Sequence, residues 1–182
     1  MPRTQRLDPP GALQHVMVRG IEGRVVFHSD RDREDLISRL SDLLPETGTD
    51  CLAWSFLPNH AHFLFRAGPS GITRLMRRLL TGYAVSFNLR HQRQGHLFQN
   101  RYKSIVCEEE PYLFQLIRYI HLNPVRAEIV SNLDALNRYP YCGHSAIMGT
   151  VTREWQDVRS VIALFGRTLE EARGAYLSYV EK

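Results

Sequence analysis

From Cys51 through Cys107 the chain contains neither aspartate nor glutamate. Arg66, Arg74, Arg77, Arg78, Arg90, Arg93, Arg101 and Lys103 all lie inside that stretch. Other scarcities narrow the class of protein. There are 3 cysteines in 182 residues, Cys51, Cys107 and Cys142, far apart and without the paired spacing of a zinc knuckle or redox motif, so they read as reduced, buried thiols. No apolar run approaches the roughly 20 residues of a membrane-spanning helix. The opening MPRTQRLDPPGAL has early charge but no apolar core of the signal-peptide kind, which gives the expectation of a cytoplasmic, nucleoid-associated protein with no membrane partner. No internal repeat or low-complexity segment is present.

What is present fits one domain with a sizeable core and a short appendage. The net charge of +4 is modest, and its distribution carries the information. Guanidinium groups with no acid beside them in sequence suit a polyanion, because each phosphate contact releases condensed counterions. A solvated helix face is the bland alternative, but such faces usually mix both signs.

Hydrophobic spacing predicts the element order. GALQHVMVRGIEGRVVF reads as a strand, a turn at Gly20 to Gly23 and a second short extended piece. Ser29 or Asp30 caps a helix carrying Leu36, Ile37, Leu40, Leu43 and Leu44, which is expected to stop near Pro45. CLAWSFL and HAHFLFR flank Pro58-Asn59 as a hairpin. Ile72, Leu75, Met76, Leu79, Leu80, Tyr83 and Phe87 then trace one face of a long helix, with Arg74, Arg77 and Arg78 on or near the other. HQRQGHLFQNRYKSIVC reads as a basic loop entering a strand near Lys103 to Cys107. Glu108 to Glu110 with Pro111 start a helix that Pro124 should bend or end at Asn123, followed by a short helical piece PVRAEIV. RYPYCGHSAIMG reads as loop, and two helix-like runs surround Gly166. Strand, helix, hairpin, helix, strand is the order of an α+β, ferredoxin-like antiparallel sheet with helices on one face, here followed by an added helix and a C-terminal helical extension.

The chemistry concentrates in PNHAHFLF. Alternation in a strand puts His60 and His62 on one side and Ala61 and Phe63 on the other, so two imidazoles project in parallel toward one possible divalent ion. Two rings do not complete a metal site, and the acid-free span offers no nearby carboxylate. On the helix after Pro111, Tyr119 and Asn123 are four residues apart and share a face. Asn123 can supply an amide oxygen, and Tyr119 then stands beside the ion as a nucleophile. Each has a plainer reading: Asn123 as N-cap of PVRAEIV, Tyr119 as a core aromatic among Leu113, Leu116, Ile117 and Ile120. His121 falls about 200 degrees round the helix from Tyr119 and is left out of the site. Tyr112, about two turns away, is a weaker nucleophile candidate.

NHAHFLF resembles the histidine-hydrophobe-histidine motif of the HUH single-tyrosine transposases. GHLFQNRYKS followed by RYIHLNPVRA resembles the subgroup of REP-associated tyrosine transposases, REP standing for repetitive extragenic palindrome. The likeness extends over roughly residues 8 to 145. The resemblance implies that His60, His62 and Asn123 are metal ligands for Mg²⁺ or Mn²⁺ and that Tyr119 is the nucleophile. It also implies single-stranded DNA beside a hairpin as substrate, a 5′-phosphotyrosine intermediate with a free 3′-hydroxyl, and a monomer or homodimer. It divides the chain into a catalytic domain over 1–149 and a helical extension over 150–182.

Candidate DNA contacts follow. Arg101 and Lys103 lie in the family-like loop, Arg74, Arg77 and Arg78 on the basic helix, and Phe98 and Tyr102 are expected to be exposed and to stack on unpaired bases. His15 and Arg19 alternate on the first strand and can face the same surface as the histidine pair. Two other readings stay open: a single-stranded nucleic-acid-binding domain without catalysis, and a metal nuclease that uses water in place of Tyr119.

Overall fold

The computed structural model describes residues 5–108 and 112–182. Strand β1 (Leu13–Arg19) leads through a 3-10 turn (Ile21–Gly23) to α1 (Asp30–Thr47) and the hairpin β2 (Asp50–Leu57), β3 (His60–Arg66). Helix α2 (Thr73–Arg90) and strand β4 (Lys103–Cys107) complete the expected order, and α3 (Tyr112–Arg126) follows. Four shorter or terminal helices close the chain: α4 (Leu133–Leu136), α5 (Gly143–Met148), α6 (Val158–Ala163) and α7 (Leu169–Glu181). The sheet runs β2-β3-β1-β4 with every neighbouring pair antiparallel, the ferredoxin-like α+β arrangement anticipated from the pattern. Among the described residues no helix is long and apolar enough to cross a membrane.

Strand alternation sorts the core into two. Val16, Val18, Trp54, Phe56, Ala61, Phe63 and Phe65 pack with Leu36, Leu40, Leu75 and Leu79 of α1 and α2. On the opposite face Leu13, Ala53 and Leu64 pack with Leu113, Ile117 and Ile120 of α3 and with Val161, Tyr176 and Val180 of α6 and α7. Residues 150–182 therefore share a core with the sheet and with α3. The second face turns polar toward the other end of the strands, where His15, Arg19, His60 and His62 lie.

Several boundaries differ from expectation. Helix α1 runs past Pro45 to Thr47, because a proline in the last turn forfeits one amide bond while Gly48, at φ 62, returns its amide to the carbonyls of Leu44 and Pro45. Ser29 occupies the N-cap position without a side-chain bond; the buried Asp32 carboxylate accepts the His28 amide at 2.8 Å instead. Helix α3 runs through Pro124 to Arg126, its penalty of roughly 3 kcal/mol offset by burial of Ile117, Ile120 and Pro124. Asn123 is therefore inside a helix and is not an N-cap. Helix α5 stands where a loop was expected, since all but one of its residues are buried and a helix buried all round has no amphipathic signature. The segment 24–27 forms no strand; the Val26 and Phe27 amides bond the Pro58 carbonyl. Glu109, Glu110 and Pro111, the expected helix start, lie outside the described residues.

A buried hydrogen-bond chain fastens the C-terminal helices to the back of α3. The Asn137 amide oxygen, 2.6 Å from His144 Nε2, can only accept, so that nitrogen carries the proton. His144 Nδ1 must then accept from the Tyr176 hydroxyl at 2.8 Å, and the same oxygen accepts from His121 Nδ1 at 2.7 Å. His121 Nε2 is left as a bare lone pair with no partner among the described residues. It lies so close to Gly143 that a Cβ there would come within 2.6 Å of it. Burial holds the His144 ring down to about 4 and pushes His121 well below the usual imidazole range.

Acid should therefore destabilise the fold early. In the unfolded chain both rings protonate near 6.5, whereas in the fold they stay neutral. The unfolded state binds more protons over that interval, and stability falls as pH drops from 6.5 toward 4, by about 1.4 kcal/mol per pH unit for each ring. Urea midpoints at pH 7, 5.5 and 4.5 check this; a flat series contradicts it. Tyr176→Phe should cost about 2 kcal/mol by stranding the two imidazole nitrogens, read from the same curves.

Candidate metal and tyrosine site

The hairpin places the histidines. Pro58-Asn59 turns the chain so that β3 begins at His60, and the register pairs Met17 with His62, Arg19 with His60, and His15 with Leu64. Directly opposed residues share a face, so His15, Met17, Arg19, His60 and His62 form one patch. Lys103 opposite Met17, and Ile105 opposite His15, extend it onto β4.

The rings are ordered by their neighbours. His60 Nδ1 lies 2.6 Å from the Asn59 side-chain oxygen, which makes that nitrogen the protonated one and leaves Nε2 bare. His62 Nδ1 lies 3.0 Å from His15 Nε2, with the two rings stacked at 5.3 Å. His62 is 3% exposed, and burial, reinforced by the charges that His15 and His60 would carry, holds it down to about 3. Burial also lowers His60, helped by Arg19, and lowers His15. All three rings are neutral near pH 7, the state in which imidazole is a ligand.

Helix α3 crosses this patch. The Tyr119 ring stands edge-on to His62 at 5.7 Å and to His15 at 6.0 Å, while 41% of the residue stays exposed. A core aromatic would not be so open. Tyr112 is 52% exposed at the helix start and makes no ring contact with His60 or His62. The Arg126 guanidinium lies over the Tyr119 ring at 5.5 Å. One turn beyond Tyr119, Asn123 is buried, and its Nδ2 has no partner among the described residues. No cluster of three His, Cys, Asp or Glu suited to a metal occurs among the described residues. Two neutral imidazoles, with a carboxamide one turn from the phenol, are donors of the kind that take a divalent ion.

Two contributions escaped the sequence: Asn59 orients His60, and Arg126 covers Tyr119. His15 faces the histidine surface as expected and touches His62. Of the two, only Asn59 had a local signal, an Asn adjacent to the histidine in a turn.

The cationic residues divide. Arg19, Arg101 and Lys103 line a 240 Å³ cleft with Met17, Gln99 and Asn100 beside the histidine patch. Arg74 and Arg78 both meet Glu46 of α1, and Arg90 meets Asp32 and Asp35. The acid-free span is thus opposed in space by acids from an earlier helix, which corrects the picture of an unopposed basic segment. Arg77, Arg101 and Lys103 are exposed and have no ion pair among the described residues. Tyr102 is buried, 8% exposed, with the Arg6 guanidinium over its ring at 3.8 Å. Phe98 is half-buried against the α1/α2 core. Neither is the open stacking platform expected, because both belong to the segment that packs α2 against the sheet edge.

A family model described as "Transposase IS200 like" matches residues 11–123. No curated protein sequence matches the chain. Among solved structures, a REP-associated tyrosine transposase bound to a REP hairpin is similar at TM-score 0.66 and 17% identity, over 87% of this chain and 93% of that one. A Deinococcus radiodurans R1 protein assigned as a transposase reaches 0.45 at 21% identity, over 65% and 95%. A tRNA(His) guanylyltransferase from Saccharomyces cerevisiae reaches 0.45 at 8% identity, over 100% and 82%; these two are too distant to bear on function.

The site makes a spectroscopic prediction. In an NMR titration the His62 ring carbons should keep their neutral-ring shifts to below pH 4, where an exposed imidazole has long titrated. A His62 midpoint near 6.5 would show that the patch is wet and the packing described here wrong.

Proposed function

Because the chain belongs to the IS200-like transposase family, a family of enzymes, we propose that it nicks and rejoins single-stranded DNA through Tyr119. The observation that carries this reading is the half-open Tyr119 ring packed edge-on to His62 and His15. The neighbour whose structure holds a REP hairpin supports a hairpin-forming palindrome as the DNA partner.

In the proposed reaction the Tyr119 oxygen attacks the phosphorus of the scissile diester. Its proton leaves to solvent, the bond from phosphorus to the 3′-oxygen breaks, and that oxygen takes up a proton. The products are a 5′-phosphotyrosine and a free 3′-hydroxyl. Because a phosphodiester is exchanged for a phosphodiester, the step runs back onto a second 3′-hydroxyl without an external energy source.

His60, His62 and Asn123 would hold Mg²⁺ or Mn²⁺. When bound, such an ion polarises a phosphoryl oxygen and favours the phenolate. The chain's own residues do the rest. Asn59 keeps the His60 lone pair on Nε2, and His15, hydrogen-bonded to His62 Nδ1, holds the orientation of that ring. Arg126 presents positive charge beside Tyr119 where the phosphate would arrive, and Arg19, Arg101 and Lys103 would steer the strand. Helix α3 packs on the sheet of its own chain, so one chain carries every group named and a monomer suffices. The extension over 150–182 would serve to hold α3 from behind.

Incubating the protein with hairpin-bearing single strands and Mn²⁺ tests the reading. A covalent protein–DNA band should form, vanish in Tyr119→Phe and His62→Ala, and disappear with a chelator until the ion is restored. Cleavage without an adduct would indicate water as the nucleophile; binding alone would indicate a non-catalytic DNA-binding domain. Asn59→Ala should raise the Mn²⁺ concentration needed for half-maximal adduct by about tenfold, with the phenol untouched.

A further inference from the structure

A second pair of imidazoles lies outside the sheet, at the corner where the start of α1 meets the end of α2. His28, in the segment before α1, and His91, the residue after α2, have ring centroids 4.8 Å apart at an interplanar angle of 59°. The His60 and His62 rings give 5.1 Å and 77°. An ion about 2.1 Å from one nitrogen of each ring sits roughly 3.2 Å from each centroid. Rings that subtend about 90–110° at such an ion have centroids about 4.5–5.2 Å apart. Both pairs fall within that range.

The buried Asp32 carboxylate orients the second pair. His91 Nε2 lies 2.9 Å from both carboxylate oxygens, and Arg90 Nε donates to one of them at 2.8 Å. Burial raises the Asp32 carboxyl, but the bonds from His91, Arg90 and the His28 amide outweigh it and hold the group below the usual carboxylate range. An ionised carboxylate only accepts, so His91 Nε2 carries the proton and Nδ1 is the nitrogen left free. A carboxylate behind one ring nitrogen is the usual support of an imidazole that binds a metal through the other. An ion pair across this corner accounts for His91 Nε2 alone. His91 Nδ1 and both ring nitrogens of His28 make no hydrogen bond among the described residues.

Packing sets both rings in place. His28 stacks on Phe87 with centroids 5.4 Å apart, and His91 lies 4.4 Å from the same ring. Phe87 belongs to the core, while His28 is exposed and His91 half-buried, so an ion reaches them from solvent. Arg90, the cation beside the pair, is held by Asp32 and Asp35 at 2.8 and 3.0 Å. Two imidazoles with water in the remaining positions select a borderline ion of the Zn²⁺ class over Mg²⁺ or Mn²⁺, which prefer oxygen donors.

We propose that His28 and His91 form a second metal site, for a divalent ion of the Zn²⁺ class, with Asp32 orienting His91. The ion ties the segment before α1 to the end of α2. That segment also holds the hairpin, since the Val26 and Phe27 amides bond the carbonyl of Pro58, just before His60. The site acts on the stability of this corner and not on the Tyr119 chemistry. It stands or falls independently of the reading that the chain nicks DNA.

The test uses the untagged full chain carrying His60→Ala and His62→Ala, which removes the other imidazole pair, with Zn²⁺ as the probe. Isothermal titration should give one Zn²⁺ per chain. Zn²⁺ at about a hundredfold excess over its dissociation constant should raise Tm by roughly 5–10 °C, and Mg²⁺ at the same concentration should not. Adding His28→Ala, a change at an exposed residue, should abolish both responses. Asp32→Asn should weaken binding about tenfold or more. In the native chain His28→Ala should remove one of two Zn²⁺ equivalents, a comparison that serves if the double variant does not fold, and should leave Mn²⁺-dependent adduct formation unchanged. A double variant that is folded and binds no Zn²⁺, or Zn²⁺ binding that survives His28→Ala in either background, overturns the site.

Discussion

The rotation of α3 about its own axis is the constraint on which the site depends. Tyr119 and His121 are two residues apart and must point to opposite sides of the helix. His121 is locked at the back by Tyr176, which in turn binds His144. With that ring buried among α5 and α7, Tyr119 has one direction left, and it is toward His62 and His15. The buried polar chain that costs stability in acid is the same one that aims the phenol. Buried polar networks are retained when fully satisfied because they specify a single arrangement, and here every member is satisfied except His121 Nε2.

The same division of labour explains the sheet. One face is ordinary core against α1 and α2. The other is apolar at one end, where α3 and the C-terminal helices pack, and polar at the other, where the histidines stand. A helix crossing such a face is anchored by Ile117 and Ile120 and delivers its exposed side to the polar end. Imidazoles at that boundary are desolvated enough to stay neutral. Their order comes from hydrogen bonds made by residues with no chemistry of their own, Asn59 foremost.

Charge is arranged by the same economy. Seen along the chain, the middle is basic without relief; seen in space, α1 supplies acids that pin α2 through Arg74, Arg78 and Arg90. Arg77, Arg101 and Lys103, which make no ion pair among the described residues, line the cleft beside the histidines and a groove between α2 and the segment 95–102. A basic helix is thus in part a structural clamp, and composition does not tell the paired arginines from the unpaired ones.

Periodicity was enough to read the ferredoxin-like order, because alternation and helical spacing are local properties that survive any packing. The histidine strand and the Tyr119/Asn123 face followed from the same two periods. Other features needed the folded chain. Helix α3 continues through Pro124 because tertiary burial outweighs a local penalty, and only that continuation excludes Asn123 as a cap. Helix α5, buried nearly all round, had no pattern to read. Tyr102 was legible as an aromatic but not as a buried one, since its cover, Arg6, comes from nearly a hundred residues away. The residue types and their spacing were set by the chain alone; which of them meet, and which charges remain unpaired, was decided by contacts between segments distant in sequence, to which no local window has access.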